Sequence, residues 1–301
     1  MRRSTPDTSS RRWTDLLIES DRRYFAAGAT LHRVPGGHLA AMPGLTRFSA
    51  GAVVLVDDLA AIVGDPSAWR EAAAFVCAKR NAGLLRFYTA ATEPKLTRVL
   101  ESAGLSSEHE LAMAASVKRV LASGGDDVDA GWNIREVTTP VLWREKRHLH
   151  ELTPERPDGK SVDAASWVKL ERAKVRAGYM SAWLIERDGQ FCGAFGLSFP
   201  ATRERTQSPM LVRFKNLFVA PEYRTQGAAT AALRLIAREV LVRGHDTRAM
   251  NTRIGCFVLP DAHSQRVYER VGLRVVGRQI EWTAPVASQL ARESRRNVVG
   301  G

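Results

Sequence analysis

The chain reads as an α/β protein in two domains, and three observations carry that reading. An apolar strand over residues 210–219 stops at Pro221 and leads through a short glycine-bearing loop into a helix at 230–240. Residues 133–282 alternate between strand-like and helix-like stretches. The first 120 residues echo the later part of that alternation. A chain of 301 residues with 45% hydrophobic content is long enough for two ordinary domains with real cores.

In chain order, a domain over 1–122 contains a strand at 52–57, a helix at 67–82 and a strand at 84–88. A helix at 94–103, closed by Gly104, and a strand at 108–117 complete it. Residues 123–131, with Ser123, Gly124, Gly125, Asp126 and Asp127, form a linker. The second domain, 132–285, opens with a strand at 133–137, then helices at 141–152 and 161–177, the latter capped by Ser161. Strands at 182–186 and 191–199 flank the turn Arg187-Asp188-Gly189. The central strand 210–219, its following helix and a strand at 247–254 come next. A helix carrying Tyr268 then ends at Gly272, ahead of a strand at 274–282. Residues 286–301 form a basic, flexible tail.

Arg98-Val99-Leu100-Glu101-Ser102-Ala103-Gly104-Leu105 matches Arg266-Val267-Tyr268-Glu269-Arg270-Val271-Gly272-Leu273 as Arg-Val-x-Glu-x-x-Gly-Leu, at an offset of 168 (268 − 100 = 168). This is a degenerate repeat. The first copy lacks the chemistry of the second. Leu100 stands where Tyr268 stands, and Asp57 and Asp58 occupy a corner where two carboxylates repel an anion.

The charge, +12 with a pI near 10.2, favours anionic ligands. Part of it sits in the tails, at Arg2, Arg3, Arg11 and Arg12 and at Arg292, Arg295 and Arg296. No run of basic residues interleaved with aromatics and no zinc spacing occurs, so nucleic acid is not the expected partner. No stretch approaches ~18 uninterrupted apolar residues, so no membrane is expected either. The amino terminus lacks the apolar core of a secretory signal. Cys77, Cys192 and Cys256 are widely spaced in apolar surroundings and read as reduced core thiols of a cytoplasmic protein, with no metal.

In Arg224-Thr225-Gln226-Gly227-Ala228-Ala229 the small residues leave backbone N–H groups uncovered at the positive end of a helix, and Arg224 adds charge. Such a loop binds phosphate. The pattern Arg-x-x-Gly-x-Ala resembles the pyrophosphate loop of the GNAT superfamily of acyl-CoA-dependent N-acyltransferases. Residues 261–273 resemble the family's later motif Asn-x-x-Ala-x-x-x-Tyr-x-x-x-Gly-Phe, with Asp261, Ser264 and Leu273 as departures. The element order of residues 133–282 is also similar to that family's.

The resemblance implies a tandem arrangement: a degenerate GNAT-like first domain and a catalytic second one, each a mixed, mostly antiparallel sheet flanked by helices. It implies acetyl transfer from acetyl-CoA to a primary amine of a small molecule by direct attack. Leu217 and Val219 would pair with the pantetheine arm along the strand edge, and an N–H near Phe218 would face the thioester oxygen. Gln226 to Ala229 with Arg224 and Thr225 would hold the diphosphate, with Ser264 also at the cofactor. Tyr268 would protonate the departing thiolate. The family often places a base carboxylate on the central strand, where this chain has Arg213, Lys215 and Asn216. Glu186, His263, Glu222 and ordered water are the substitutes. Trp143, His148, His150, Trp167, Arg172, Lys174 and Arg176 on the two helices would line the acceptor pocket and suit an amine that also carries an anionic group. A protein or peptide acetyltransferase, a catalytically silent CoA-binding protein and a nucleic-acid-associated protein are the competing functions. A homodimer is among the arrangements considered.

Overall fold

The computed structural model describes residues 8–46, 48, 50–65, 71, 84–90, 94–102, 104–124, 129, 131–152, 163–198, 211–244, 250–260 and 262–285. The expected helix at 67–82 except Glu71, Cys77, the Ser161 cap, Asp261 and both basic tails except Arg11 and Arg12 lie outside them. The helices and strands, numbered in chain order, fall into two compact units. One comprises Met1–Ser20 with Leu111–Gly277, and the other Asp21–Glu110 with Arg278–Gly301. This division differs from a contiguous break at 123–131, because the cuts fall inside helix α1 (Thr8–Ala26) and strands β5 (Ser106–Ser116) and β11 (Arg274–Pro285).

The Asp21–Glu110 unit holds β1 (Thr30–Val34), β2 (Gly37–Ala41), β3 (Ala52–Val56), α2 (Leu59–Gly64), β4 (Leu84–Ala90) and α3 (Pro94–Ser102). Its strands follow the order β1-β2-β3-β4-β11 and are antiparallel except for β3 beside β4. The sequence reading had missed α1, β1 and β2. The two aspartates after β3 are spent locally. Asp58 caps α2 by accepting from the N–H groups of Ala60 and Ala61. Asp57 pairs with Arg22 and, at 2.6 Å, with His38; burial pushes its carboxyl up, but these two partners outweigh that and hold it below the usual range.

The other unit adds α4 (Val117–Leu121), β6 (Trp132–Glu136), α5 (Pro140–Glu151), α6 (Ala164–Arg176), β7 (Met180–Arg187), β8 (Gln190–Ser198), β9 (Leu211–Val219), a 3-10 turn (Pro221–Tyr223), α7 (Ala228–Gly244), β10 (Arg253–Val258) and α8 (His263–Arg270). Its strands run β5-β10-β9-β8-β7-β6, with β9 and β10 the parallel pair. Thr139 caps α5 with Pro140 at its first position, and Asp163 caps α6 by accepting from Ser166 N–H at 3.0 Å. The strand expected at 247–254 runs instead over Arg253–Val258. One sheet face packs on α4, α7 and α8 through Phe195, Phe214, Ile236 and Tyr268. The opposite face packs on α5 and α6 through Trp143, Leu149, Val168 and Ala194. Asp129, inside the expected linker, is buried and bonded to Arg234 and Arg238 of α7, so the chain is pinned there.

The repeat is visible bond for bond. Gly104 N–H donates to Glu101 O and Leu105 N–H to Leu100 O; Gly272 N–H donates to Glu269 O and Leu273 N–H to Tyr268 O. Both glycines have left-handed backbone, φ 80° and 90°. These are two Schellman corners, each ending its helix with the bond pattern that only a residue free to adopt positive φ makes cheaply.

Candidate active site

The site begins where two parallel strands part. β9 and β10 pair only over Leu211–Arg213 and Arg253–Gly255, while β9 stays on β8 as far as Val219. From Phe214 onward the β10-facing edge of β9 is open. A bulge lies in this stretch: Lys215 faces Gly196 and Phe218 faces Ala194, so Asn216 and Leu217 together oppose Phe195. Asn216 has φ 52°, the left-handed conformation. Side chains register the slip. Val212 and Phe214 lie on the α7 face before the bulge, but Leu217 and Val219 do so after it, and Phe218 turns to the α5–α6 face.

Backbone groups follow the same parity. Ala220 N–H donates to Cys192 O at 2.8 Å, so two residues back Phe218 spends its own groups on Ala194, and Leu217 and Val219 turn theirs to the open edge. Leu217 and Val219 thus occupy the edge positions expected of them. Of the N–H groups near Phe218, this pairing leaves that of Leu217 on the open edge.

Beyond Val219 the 3-10 turn delivers the chain to α7. Thr225 has φ 63° and Gly227 φ 89°, so left-handed residues alternate along the loop and its amides converge in a nest. The N–H groups of Gln226, Gly227, Ala228 and Ala229 find no acceptor among the described residues, and the first bond into the helix is Ala231 N–H to Gly227 O at 2.9 Å. A Cβ on Gly227 would meet nothing within 4 Å, so the loop faces open space there. Arg224 donates from Nε to Val219 O at 3.0 Å and lies over the Phe218 ring. The Gln226 side chain braces the loop, accepting from Arg187 and donating to Glu222 O, both at 2.7 Å.

Tyr268 comes from α8 onto the α7 face, buried, its ring edge-on to Phe214 at 5.2 Å. That places it where β9 and β10 begin to part. Burial raises its pKa far above the usual phenol value, so it keeps its proton. Ser264, four residues earlier, shares its helix face; His263, five earlier, is rotated about 140° from it and is exposed. Glu186 pairs with Arg135 at 2.7 Å near the β7–β8 turn, two strands from the open edge. Tyr268 and Ser264 thus share one face of α8, with Tyr268 packed on Phe214 beside the open β9 edge that leads to the loop, while Glu186 lies two strands away and His263 and Glu222 are exposed.

A cluster that the sequence reading missed occupies the opposite wall. Lys146 and His150 of α5 and Glu171 and Lys174 of α6 are all buried against the sheet. Lys146 Nζ lies 3.2 Å from Glu171 and donates to Phe195 O at 2.9 Å. His150 Nε2 lies 3.8 Å from Glu171, and Asn216 Nδ2 donates to Glu171 Oε1 at 3.4 Å. Burial alone would raise the Glu171 pKa, but the Lys146 charge and the His150 contact outweigh it and take it down to about 2. Burial, with the charge of Lys215, takes Lys174 down to about 7. The signal was present: Trp143, Lys146 and His150, and Val168, Glu171 and Val175, fall on the apolar stripes of their helices at i, i+3/i+4 and i+7.

The other cations of these helices face away. Arg144, Arg147, Lys169, Arg172 and Arg176 line a groove of about 530 Å³ between α5 and α6, with Arg172 over Trp143. The expected acceptor wall is thus divided: His150 and Lys174 look toward the sheet, Arg172 and Arg176 into the groove, and His148 is exposed. Cys192 and Cys256 are buried free thiols. Among the described residues no cluster of His, Cys, Asp and Glu could hold a metal ion, and no helix is long and apolar enough to cross a membrane.

Comparison with known proteins places this geometry. No functionally curated protein shows significant similarity to the chain. A tandem GNAT protein from the clavulanic acid biosynthesis pathway, solved without AcCoA, is similar in fold at TM-score 0.57 and 17% identity, over 90% of this chain and 95% of that one. A GCN5-related N-acetyltransferase from Kribbella flavida matches at TM-score 0.59 and 14% identity, over 92% and 96%. A functionally unknown conserved protein from Staphylococcus epidermidis matches at TM-score 0.59 and 11% identity, over 91% and 97%. Residues 143–273 match the family model described as Acetyltransferase (GNAT) family, and over 90% of its length the chain is similar in fold to a tandem GNAT protein.

Proposed function

We propose that this protein is an N-acyltransferase that moves an acetyl group from acetyl-CoA to a primary amine of a small molecule by direct attack. The carrying observation is the open β9 edge running out to a loop whose amides at 226–229 have no acceptor. Those amides, the positive end of α7 and the Arg224 guanidinium suit a diphosphate. The edge-facing N–H and C=O groups of Leu217 and the N–H of Val219 suit an amide-bearing arm laid along the strand as an added one, the Val219 carbonyl being taken by Arg224 Nε. Acetyl-CoA supplies an activated thioester. This chain binds it, aligns it and handles two protons.

Tyr268, kept neutral by burial at the inner end of the cleft, is the donor for the leaving thiolate. Lys174, held near neutrality beside Lys215, suits the role of proton acceptor for the attacking ammonium. The basic balance of the chain, +12 in formal charge, favours an amine that also bears an anionic group. Buried unbridged thiols fit a cytoplasmic setting. The test is thermal unfolding of the purified protein with acetyl-, propionyl- and longer acyl-CoA compounds, followed by transfer assays on amines with and without a carboxylate. No stabilisation by any acyl-CoA would refute the proposal.

A further inference from the structure

We infer that the buried Lys146–Glu171 pair sets the bulge in β9 and thereby aims the Leu217 amide at the acyl carbonyl; the inference rests on the function proposed above. In β8 the even-numbered residues Cys192 and Ala194 turn their backbone groups toward β9. Without a bulge, counting on from the Gly196–Lys215 pair, they would face Val219 and Leu217 and consume those groups. The one extra residue, Asn216, moves Phe218 and Ala220 into those places and frees Leu217 and Val219 for the cleft. The open edge therefore exists with this parity only while the bulge is held.

The bulge is costly by itself, since Asn216 sits in the left-handed region. The ion pair holds both of its sides. Lys146 reaches the carbonyl of Phe195, the one residue opposing two, and Glu171 takes the amide of Asn216, the extra residue. Each helix thus grips one strand, and the 3.2 Å contact joins the grips. An apolar pair would fill the same space, often at no loss of stability. It would hold neither strand. His150 Nε2 lies 3.8 Å from the same carboxylate oxygen that Lys146 approaches. These are positioning residues, acting on the acyl group only through the strand.

The test uses acetyl-CoA labelled with 13C at the carbonyl and reads the stretch of the bound thioester by infrared difference spectroscopy. In the unaltered protein the stretch should lie below its value in water, the mark of a donor on the oxygen. In Lys146→Met and in Glu171→Gln it should return toward the water value, while the dissociation constant of adenosine 3′-phosphate 5′-diphosphate, which carries the diphosphate but no amide-bearing arm, changes less than about threefold, since the loop is untouched. Should either single variant unfold, the double variant Lys146→Met/Glu171→Leu keeps the wall apolar and should give the same spectrum. A folded variant that binds acetyl-CoA with the stretch still lowered overturns this inference alone, as does an unaltered protein whose bound stretch equals that in water. Failure of the unaltered protein to bind acetyl-CoA overturns the proposed function and this inference together.

Discussion

Gly227 offers the sharpest separation of folding from binding. Its φ of 89° lies where an L side chain is strained, yet an added Cβ touches nothing within 4 Å. Gly227→Ala should therefore cost only the backbone preference, about 1–2 kcal/mol, with no clash added. For a unit of this size that is a fall in Tm of about 2–8 °C without ligand. The ligand effect is distinct. At about 100 times its dissociation constant acetyl-CoA should stabilise the unaltered protein by about 2.7 kcal/mol; a variant that binds a hundredfold more weakly gains only about 0.4 kcal/mol at that concentration. Since the Cβ enters the open space that the loop amides face, Gly227→Ala should lose most of the increment, and the larger Gly227→Val all of it. The assay is differential scanning fluorimetry across an acetyl-CoA titration, with calorimetric affinities as a check. A variant that shows the lower baseline Tm but the full ligand-induced rise would refute the assignment of the diphosphate to residues 226–229.

Two further expectations follow from the walls of the cleft. Tyr268→Phe keeps the edge-on packing against Phe214, so the acetyl-CoA thermal shift should persist while turnover falls by about 10²-fold or more; an unchanged rate would remove the acid role. Lys174 is held near pKa 7 in the folded state and returns to about 10.4 on unfolding, so between these values the unfolded chain binds more protons and stability should rise with pH by up to about 1.4 kcal/mol per unit. Below pH 7 both states are protonated and this contribution to the slope vanishes. Lys174→Met should abolish the slope between pH 7.5 and 9.5 in urea titrations; its persistence would show that another group titrates there.

The parts of the fold legible in the sequence were those whose information is local. Gly104 and Gly272 announce their corners because a left-handed residue after a helix is almost a signature of its end. Thr225 did not announce itself. A β-branched residue at φ 63° runs against propensity, and only the loop's anchoring through Gln226 and Arg224 explains why it is held there. The loop with open amides at 226–229 was legible for the same reason as the corners, since small residues ahead of a helix are a local pattern. The bulge at Asn216 was not, because strand parity depends on which residue of β8 stands opposite, and nothing near Asn216 in the chain specifies that partner. Glu171 and Lys146 were illegible individually and legible as a pair. A charge on the apolar stripe of one helix reads as a misfit, but charges of opposite sign at such positions on consecutive helices imply that the stripes meet. The central strand, where the family's pattern has its base carboxylate, carries Arg213, Lys215 and Asn216. The carboxylate at this cleft arrives from the neighbouring helix instead, at 3.4 Å from the residue that the bulge turns out of the strand. Its low pKa suits it to hold Asn216 and Lys146 in place, and leaves proton transfer to a group that titrates closer to neutrality.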